Sequence, residues 1–246
     1  MHWFLNRFFS SEPVKKLVDE QNDVFRKLGL DREEGLIFLN NLSDKPMHFA
    51  HKKSFGMASE HHVFFSALAR RNKDIQRVLE IGTFQGETTR LLGKLFPEAV
   101  VESLDLPDEE RFESKVYAYA YGMEFTSDES TVSRIKYLKQ NSLRLLEFLG
   151  GYDLIWLDGN HLSPYTISDI VNSVRLMSNQ GYLACDDIYL KKPYLEVNAD
   201  LSAISIIKAL SEAEIISYVL IRKRLGSRFN NILSGHKYIA IIRKRS

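Results

Sequence analysis

Apolar residues recur along this chain with two different periods, and the period changes after about seventy residues. In the first part the spacing is helical, in "PVKKLVDEQNDVFRKLGL" (13–30) and again in "MASEHHVFFSALARR" (57–71). Between these two segments lies "DKPMHFAHKKSFG" (44–56), an irregular connection that carries two histidines. We therefore predict a helical extension over residues 1–73.

Short apolar runs replace the helical pattern in the rest of the chain. Five of them are typical of strands: "RVLEIG" (77–82), "AVVESLD" (99–105), "RIKYLKQ" (134–140), "YDLIWLDG" (152–159) and "GYLACDDI" (181–188). They lack strict polar alternation and are separated by helical segments, which is the pattern of parallel strands covered on both faces. Right-handed crossovers then place helices on both sides of one sheet.

The last two apolar runs follow a different rule. "IISYVLIRK" (215–223) and "HKYIAIIRK" (236–244) succeed each other with no strong helix between them, so they are predicted to pair antiparallel. The fold predicted is an α/β, doubly wound, Rossmann-like sheet of seven strands, mostly parallel with an antiparallel C-terminal strand. It occupies residues 74–246, and the helical extension precedes it.

Composition agrees with one principal core. The chain has 246 residues, 44% of them hydrophobic, and a net charge of +1, which indicates no strong preference for nucleic acid or an anionic membrane. Cys185 is the only cysteine, so an internal disulfide and a cysteine-rich zinc site are excluded. We find no signal peptide and no run long enough to span a membrane, and we expect a soluble cytoplasmic protein.

Both ends of the chain have a marked composition. The start, "MHWFLNRFF" (1–9), is expected to pack against the main domain or a second subunit, which is compatible with a homodimer formed through the N-terminal helices, and binding at a membrane interface is the alternative. No acidic residue follows Glu214, while "IRKRLGSR" (221–228) and "IIRKRS" (241–246) are strongly basic. We interpret these basic segments as a solvated cationic edge of the sheet, with contact to a polyanion as the alternative.

A glycine turn follows the first predicted strand in "VLEIGTFQGETTRLL" (78–92). Gly82 and Gly86 let a ligand approach the backbone, but Phe84 stands where the dinucleotide fingerprint needs glycine. Glu80 before the turn argues against an anionic ligand group and suits a cationic one, such as an amino group. A purely structural role for the two glycines is the alternative.

Polar residues also end the next two strands. Asp105 lies 25 residues after Glu80, where an acid can accept hydrogen bonds from ribose hydroxyls. Asn141 and Ser142 follow the third strand, along the same edge of the sheet, and suit the edge of an adenine ring. An aspartate that ends a strand can also be a simple cap.

The fourth and fifth strands end in acids. Asp158 closes one strand, and Asp186 and Asp187 close its neighbour, so three carboxylates are expected to converge. Like charges at one point either raise one another's pKa values or are neutralised by a cation, and hard oxygen ligands favour Mg²⁺, Mn²⁺ or Ca²⁺. His161 lies three residues after Asp158 and could remove a proton near neutral pH, with substrate orientation or ligation as alternatives.

Taken together, "VLEIGTFQGETT", "LD" (104–105), "QNS" (140–142) and "YDLIWLDGNH" resemble, in order and spacing, the motifs of the class I S-adenosylmethionine-dependent methyltransferases. The resemblance covers about residues 55–190. It implies that the glycine loop holds the methionine part of the cofactor, Asp105 the ribose, and the third-strand loop the adenine. The residues it assigns to cofactor binding are Glu80, Gly82, Thr83, Gly86, Asp105, Asn141, Ser142 and Asp158.

Among cation-dependent O-methyltransferases, the site resembles the macrocin and mycinamicin type more than the catechol type, which has Lys in place of His161 and Asn in place of Asp187. This resemblance implies methyl transfer to a hydroxyl of a small molecule, with Mg²⁺ held by Asp158, Asp186 and Asp187 and with His161 as general base. It also implies a lid over the acceptor in the N-terminal extension.

Three alternatives to this function stay open. They are a metal-independent methyltransferase, an RNA-directed one that uses the basic C-terminal strands, and a protein that binds S-adenosylmethionine without turnover. Nucleic acid is disfavoured as the acceptor of an amino-group methylation, because no "NPPY"-like segment follows the fourth strand.

Overall fold

Seven strands form one sheet in the computed structural model, which describes residues 14–42, 59–84, 86–107, 134–192, 200–225 and 237–245. The strands are β1 (Arg77–Ile81), β2 (Val100–Asp105), β3 (Ile135–Lys139), β4 (Tyr152–Leu157), β5 (Met177–Ile188), β6 (Ile216–Arg222) and β7 (Tyr238–Lys244). Their order across the sheet is β3-β2-β1-β4-β5-β7-β6. Strands β1 to β5 are parallel to one another, whereas β7 runs antiparallel to both β5 and β6.

Helices precede the sheet and connect its strands. They are α1 (Val14–Lys27), α2 (Arg32–Leu42), α3 (Glu60–Arg71), α4 (Glu87–Leu95), α5 (Tyr165–Leu176) and α6 (Ser202–Glu212), with a 3₁₀ helix at Ser142–Glu147. None of the helices in the described part of the chain has the length and apolar content needed to cross a lipid bilayer.

The predicted doubly wound sheet and its antiparallel C-terminal strand are confirmed. The largest difference in a boundary is at β5, which begins at Met177 and not at residue 181. Met177 pairs with Tyr152, and a shift in register then follows before Tyr182 pairs with Leu154. The predicted irregular connection (44–56) and the aromatic start (1–9) lie outside the described residues.

Strand β4 shows how the sheet separates two hydrophobic cores. Leu154 and Trp156 contribute to one core, together with residues of α1 and α3 such as Phe25 and Phe64, whereas Leu157 contributes to the core on the other face. The four residues named for the first core are fully buried. Because successive strand residues point to opposite faces, an uninterrupted apolar run is needed to fill both cores.

The N-terminal helices are attached to the edge strand β6. The Gln21 side chain donates to the Arg222 carbonyl oxygen and accepts from the Arg222 N–H, each over 3.0 Å. The Arg32 guanidinium donates two hydrogen bonds of 2.7 Å to the buried Glu60 carboxylate. Glu60 N in turn donates to Lys223 O over 2.9 Å, so the start of α3 lies against the end of β6. The domain boundary between residues 73 and 74 stays a prediction.

Candidate active site

The polar residues predicted from the strand ends lie at one edge of the sheet. Five parallel strands end there, because β3, β2, β1, β4 and β5 are neighbours in that order. The residues that this edge presents are Gly82 after β1, Asp105 at the end of β2, Asn141 after β3, Asp158 after β4, and Asp186 and Asp187 near the end of β5. The carboxyl edge of a parallel sheet is the usual ligand site of this architecture.

The turn after β1 is pressed against the end of β4. Gly82 has φ +100°, and a Cβ atom on it would lie 2.2 Å from the Asp158 carbonyl oxygen. Hydrogen bonds of 2.8 Å join Gly82 N to Leu104 O and Asp158 N to Ile81 O. The glycine therefore couples the predicted cofactor loop to the strand end that carries Asp158.

Glu80 lies beneath this turn, only 1% exposed. Its Oε2 accepts hydrogen bonds from the hydroxyls of Thr89 and Ser103, and Ser103 also contacts the Thr83 hydroxyl at 2.6 Å. Burial raises the pKa of Glu80 to about 7, although the two hydroxyl groups oppose the shift. Its Oε1 is buried without a hydrogen-bond partner among the described residues, which fits a carboxylate that still has to receive an N–H or water donor.

Asp105 and Asn141 have local roles in the structure. The two Asp105 oxygens accept from Phe84 N over 2.9 Å and from Leu106 N over 2.8 Å, so this acid orders the glycine turn. Asn141 caps the 3₁₀ helix by accepting from Leu143 N over 3.0 Å. Their contacts with ribose and adenine, like that of Ser142, stay predictions.

His161 lies between two of the predicted acids. Its Nε2 is 3.4 Å from Asp158 Oδ1 and 4.0 Å from Asp187 Oδ2, so side chains from the ends of β4 and β5 do converge. Burial by itself would lower the pKa of His161, but the hydrogen bond with Asp158 and the charge of Asp187 raise it above its usual value. The imidazole is 39% exposed, so a ligand can reach it.

A bulge in β5 orients the two adjacent aspartates. Cys185 pairs with Ala240 and Ile188 with Tyr238, so three steps along β5 oppose two along β7. Asp187 has φ +50°, in the left-handed region. Consecutive residues of a regular strand would point to opposite faces, and the bulge allows both carboxylates to reach the same neighbouring cation.

That cation is Lys223, which directly follows β6. Its ammonium group contacts Asp186 Oδ2 and lies 2.7 Å from Asp187 Oδ1, while Lys237 Nζ lies 2.9 Å from Asp187 Oδ2. The interpretation of "IRKRLGSR" as a solvated edge is therefore wrong for Lys223, which is only 16% exposed. The sequence of a basic segment does not reveal which acids it pairs with when those acids lie on a strand distant in sequence.

The pKa values of this cluster follow from burial and pairing. Burial raises the pKa of Asp186 to about 7, with Lys223 opposing the shift. Burial would also raise the pKa of Asp187, but the charges of Lys223, His161 and Lys237 hold it well below the usual range. The carboxylates in turn raise the pKa of Lys223 against the effect of its own burial. Lys223 and Asp187 are therefore a charged pair at neutral pH.

The predicted magnesium site does not fit this arrangement. Both oxygens of Asp187 accept from ammonium groups, and Asp186 Oδ1 is the one buried oxygen of the pair without a partner in the described part of the chain. Mg²⁺ needs an octahedral set of oxygen ligands, and the two ammonium charges repel it. Across the described ranges, no group of three or more His, Cys, Asp or Glu side chains is placed to hold a metal ion. The assignment of metal binding to Asp158, Asp186 and Asp187 stays a prediction. The lysine contacts of Asp186 and Asp187 are evidence against it.

Asp169 of α5 is a further acid near the site, and the sequence pattern did not reveal it. It is fully buried, and its Oδ2 would lie 3.7 Å from a Cβ atom on Gly159. Neither carboxylate oxygen makes a hydrogen bond of ordinary geometry to a described residue. Burial raises the pKa of Asp169 to about 6, with the Ser142 hydroxyl opposing the shift.

Replacing Asp169 with asparagine is expected to stabilise the protein at alkaline pH. A raised acid pKa means that ionisation penalises the folded state, so stability is lost as pH rises from the unfolded value through about 6. Asp169→Asn removes that penalty, up to about 3 kcal/mol at pH 8, and the gain vanishes at the acidic end of the range. Denaturant unfolding of both proteins across this pH range measures the difference.

Asp200 provides a control of opposite sign. Hydrogen bonds from the Ser202 hydroxyl and from backbone N–H groups, including that of Ser163, lower the pKa of Asp200. Its charge therefore favours the folded state above the unfolded pKa, and Asp200→Asn should lose stability there. A pH-independent difference between Asp169→Asn and the parent protein would contradict the role of burial.

A comparison with family models shows what the part of the chain that carries the site is similar to. Residues 79–188, from β1 to the end of β5, match the model described as "Methyltransferase domain". The segment from β1 to β5 is therefore similar to a methyltransferase domain, as its motifs predict. A search among curated proteins gave no match.

Solved structures share the fold of this chain at low sequence identity. A protein assigned as an O-methyltransferase from Klebsiella pneumoniae aligns with TM-score 0.54 and 14% identity over 100% of this chain and 96% of its own. The O-methyltransferase TomG from Streptomyces achromogenes, in complex with SAM, aligns with TM-score 0.52 and 13% identity over 99% and 95%. A protein assigned as an rRNA methylase from Clostridium thermocellum aligns with TM-score 0.51 and 13% identity over 74% and 94%. Because proteins with different assigned activities share the fold, the fold does not determine the acceptor.

Proposed function

We propose that this methyltransferase transfers the methyl group of S-adenosylmethionine to a hydroxyl of a small molecule, with His161 as the general base. The observation that carries the proposal is the position of His161 Nε2, 3.4 Å from Asp158 and 4.0 Å from Asp187 at the carboxyl edge of the sheet. A hydroxyl is a weak nucleophile, so the chain has to supply a proton acceptor close to the transferring methyl group.

The cofactor would be held by the residues around the glycine turn. Gly82 leaves the backbone open, Glu80 has one buried oxygen behind it to which no described residue donates a hydrogen bond, and Asp105 orders the turn. Bound S-adenosylmethionine supplies an activated methyl group on a positively charged sulfur. The acidic surroundings of Glu80, Asp105 and Asp158 are favourable for a cationic ligand.

The acid–base step would then belong to His161. The acceptor oxygen forms the new bond to the methyl carbon, the electrons of the old carbon–sulfur bond remain on sulfur, and the hydroxyl proton passes to Nδ1 of His161, because Nε2–H donates to Asp158. Asp158 and Asp187 stabilise the imidazolium, because both carboxylates lie within 4.0 Å of Nε2. The proposed reaction includes no step at a metal ion.

A small molecule is favoured over RNA by the positions of two lysines. An RNA-directed enzyme would use basic residues at the end of the sheet for phosphate contacts. Lys223 and Lys237 instead contact Asp187, with ammonium-to-carboxylate distances of 2.7 and 2.9 Å, and Lys223 also contacts Asp186. Homodimer formation stays a prediction.

A methyl-transfer assay tests the proposed function. The purified chain is incubated with S-adenosylmethionine carrying a labelled methyl group and with sugars, phenols or total RNA. We expect label in an ether product of a hydroxylated small molecule, together with S-adenosylhomocysteine. Tight S-adenosylhomocysteine binding without any transfer would favour the non-catalytic alternative, and label found only in RNA would favour the RNA-directed one.

A further inference from the structure

The two lysines of the acidic cluster come from one part of the sheet. Lys223 follows β6 and Lys237 precedes β7, and the backbone joins them, since Lys223 N donates to Lys237 O over 3.0 Å. Strand β7 lies between β5 and β6, so this pair is held next to the end of β5. The position of both ammonium groups is therefore set by the pairing of β6 and β7 with β5.

Their contacts occupy most of the acceptor sites of the neighbouring carboxylates. Lys223 bridges Asp186 Oδ2 and Asp187 Oδ1, and Lys237 takes the other oxygen of Asp187. Lys237 also lies over the ring of Tyr189, with Nζ 5.3 Å from the ring centroid. The exposed fractions of the lysine side chains are 16% and 21%, so water screens these pairs only in part.

The cluster is therefore neutralised from within the chain. Three carboxylates, those of Asp158, Asp186 and Asp187, face two ammonium groups and the imidazole of His161. Converging carboxylates need a compensating cation, which in a metal enzyme is a divalent ion. In this protein the compensating positive charges are lysine side chains of the same chain.

We propose that Lys223 and Lys237 take the place of a divalent cation, so that the site is built to work without one. Lys223 is a positioning residue: it holds Asp186 and Asp187 in place behind His161 and supplies the positive charge that they require. This inference deepens the proposed function and rests on it only for the reaction. The preference of the site for lysine over metal can be measured without any acceptor.

Calorimetric titration with MgCl₂ tests the proposal. The protein saturated with S-adenosylhomocysteine is titrated in two forms, the parent chain and the double variant Lys223→Met, Lys237→Met. We expect no saturable Mg²⁺ binding to the parent chain. In the double variant the freed carboxylates should bind Mg²⁺ at least about tenfold more tightly than in the parent chain, because two repelling charges are gone.

Matched controls separate this effect from a general change of charge. Lys208→Met removes an exposed lysine of α6 and should leave Mg²⁺ binding as in the parent chain. Where the double variant does not fold, Lys237→Met alone, which frees one oxygen of Asp187, carries the same test.

Two results would overturn the proposal. One is stoichiometric Mg²⁺ binding to the parent chain, and the other is a folded lysine variant that gains no Mg²⁺ affinity. Failure of the proposed function would look different, because it would leave methyl transfer absent whatever the metal titrations show. If transfer is observed, it should persist unchanged in a chelating buffer.

Discussion

Replacement of His161 by alanine should lower kcat for methyl transfer by about 10²- to 10⁴-fold, the range typical of a lost general base. The imidazole is the group placed beside Asp158 and Asp187, and alanine leaves no ring nitrogen to accept the hydroxyl proton. Binding of S-adenosylhomocysteine should change little, since the glycine turn keeps its contacts. Initial rates at saturating cofactor, paired with calorimetric binding of S-adenosylhomocysteine, measure both quantities.

A rescue experiment distinguishes a base from a residue that only orients the acceptor. Added imidazole should restore part of the rate of His161→Ala, whereas a purely steric role would not respond to it. The rate of the parent chain should fall on the acidic side at a pH above the usual histidine pKa of 6.5, because the neighbouring acids raise the pKa of His161. A loss confined to KM would be evidence against the assignment.

Replacement of Gly82 by alanine should abolish detectable cofactor binding and cost about 2–5 kcal/mol of folding stability. The new Cβ atom would lie 2.2 Å from the Asp158 carbonyl oxygen and 2.6 Å from its carbon, and both are backbone atoms that cannot rotate away. The turn, or the end of β4 that carries Asp158, therefore has to move. Denaturant unfolding and S-adenosylhomocysteine titration measure the two effects.

Gly29 offers a matched control for this prediction. It has φ +72°, so alanine there meets a similar backbone penalty, but a Cβ atom would have no atom of a described residue within 4 Å. Gly29→Ala should cost about 1–2 kcal/mol and leave cofactor affinity unchanged. If Gly82→Ala behaves like Gly29→Ala in both measurements, the close approach to Asp158 is not important for the site.

The strands and the edge at which the site lies could be predicted because they depend on local pattern. An apolar run such as that of β4 has to fill two cores, and parallel strands present their carboxyl ends at one edge. The convergence of His161 with Asp158 and Asp187 follows from that rule. The extra residues at the start of β5 were missed because a register shift depends on pairing with β4.

The tertiary structure corrected the interpretation of the basic C-terminal segment. Lys223 and Asp187 are 36 residues apart, and only the insertion of β7 between β5 and β6 brings their side chains together. The sequence shows that this segment is basic, but it does not show which carboxylates its lysines contact. The inference of a metal from three acids was reasonable as chemistry, since the acids do require a positive charge.

The sequence by itself determined the doubly wound sheet, the glycine turn and the acids with His161 at the strand ends, because each depends on periodicity or on neighbours within one motif. Only the tertiary structure decided what neutralises those acids, why Gly82 tolerates no side chain, and that Asp169 is buried. These properties depend on distances between segments far apart in the chain. Pairing and packing set those distances, and no local pattern encodes them.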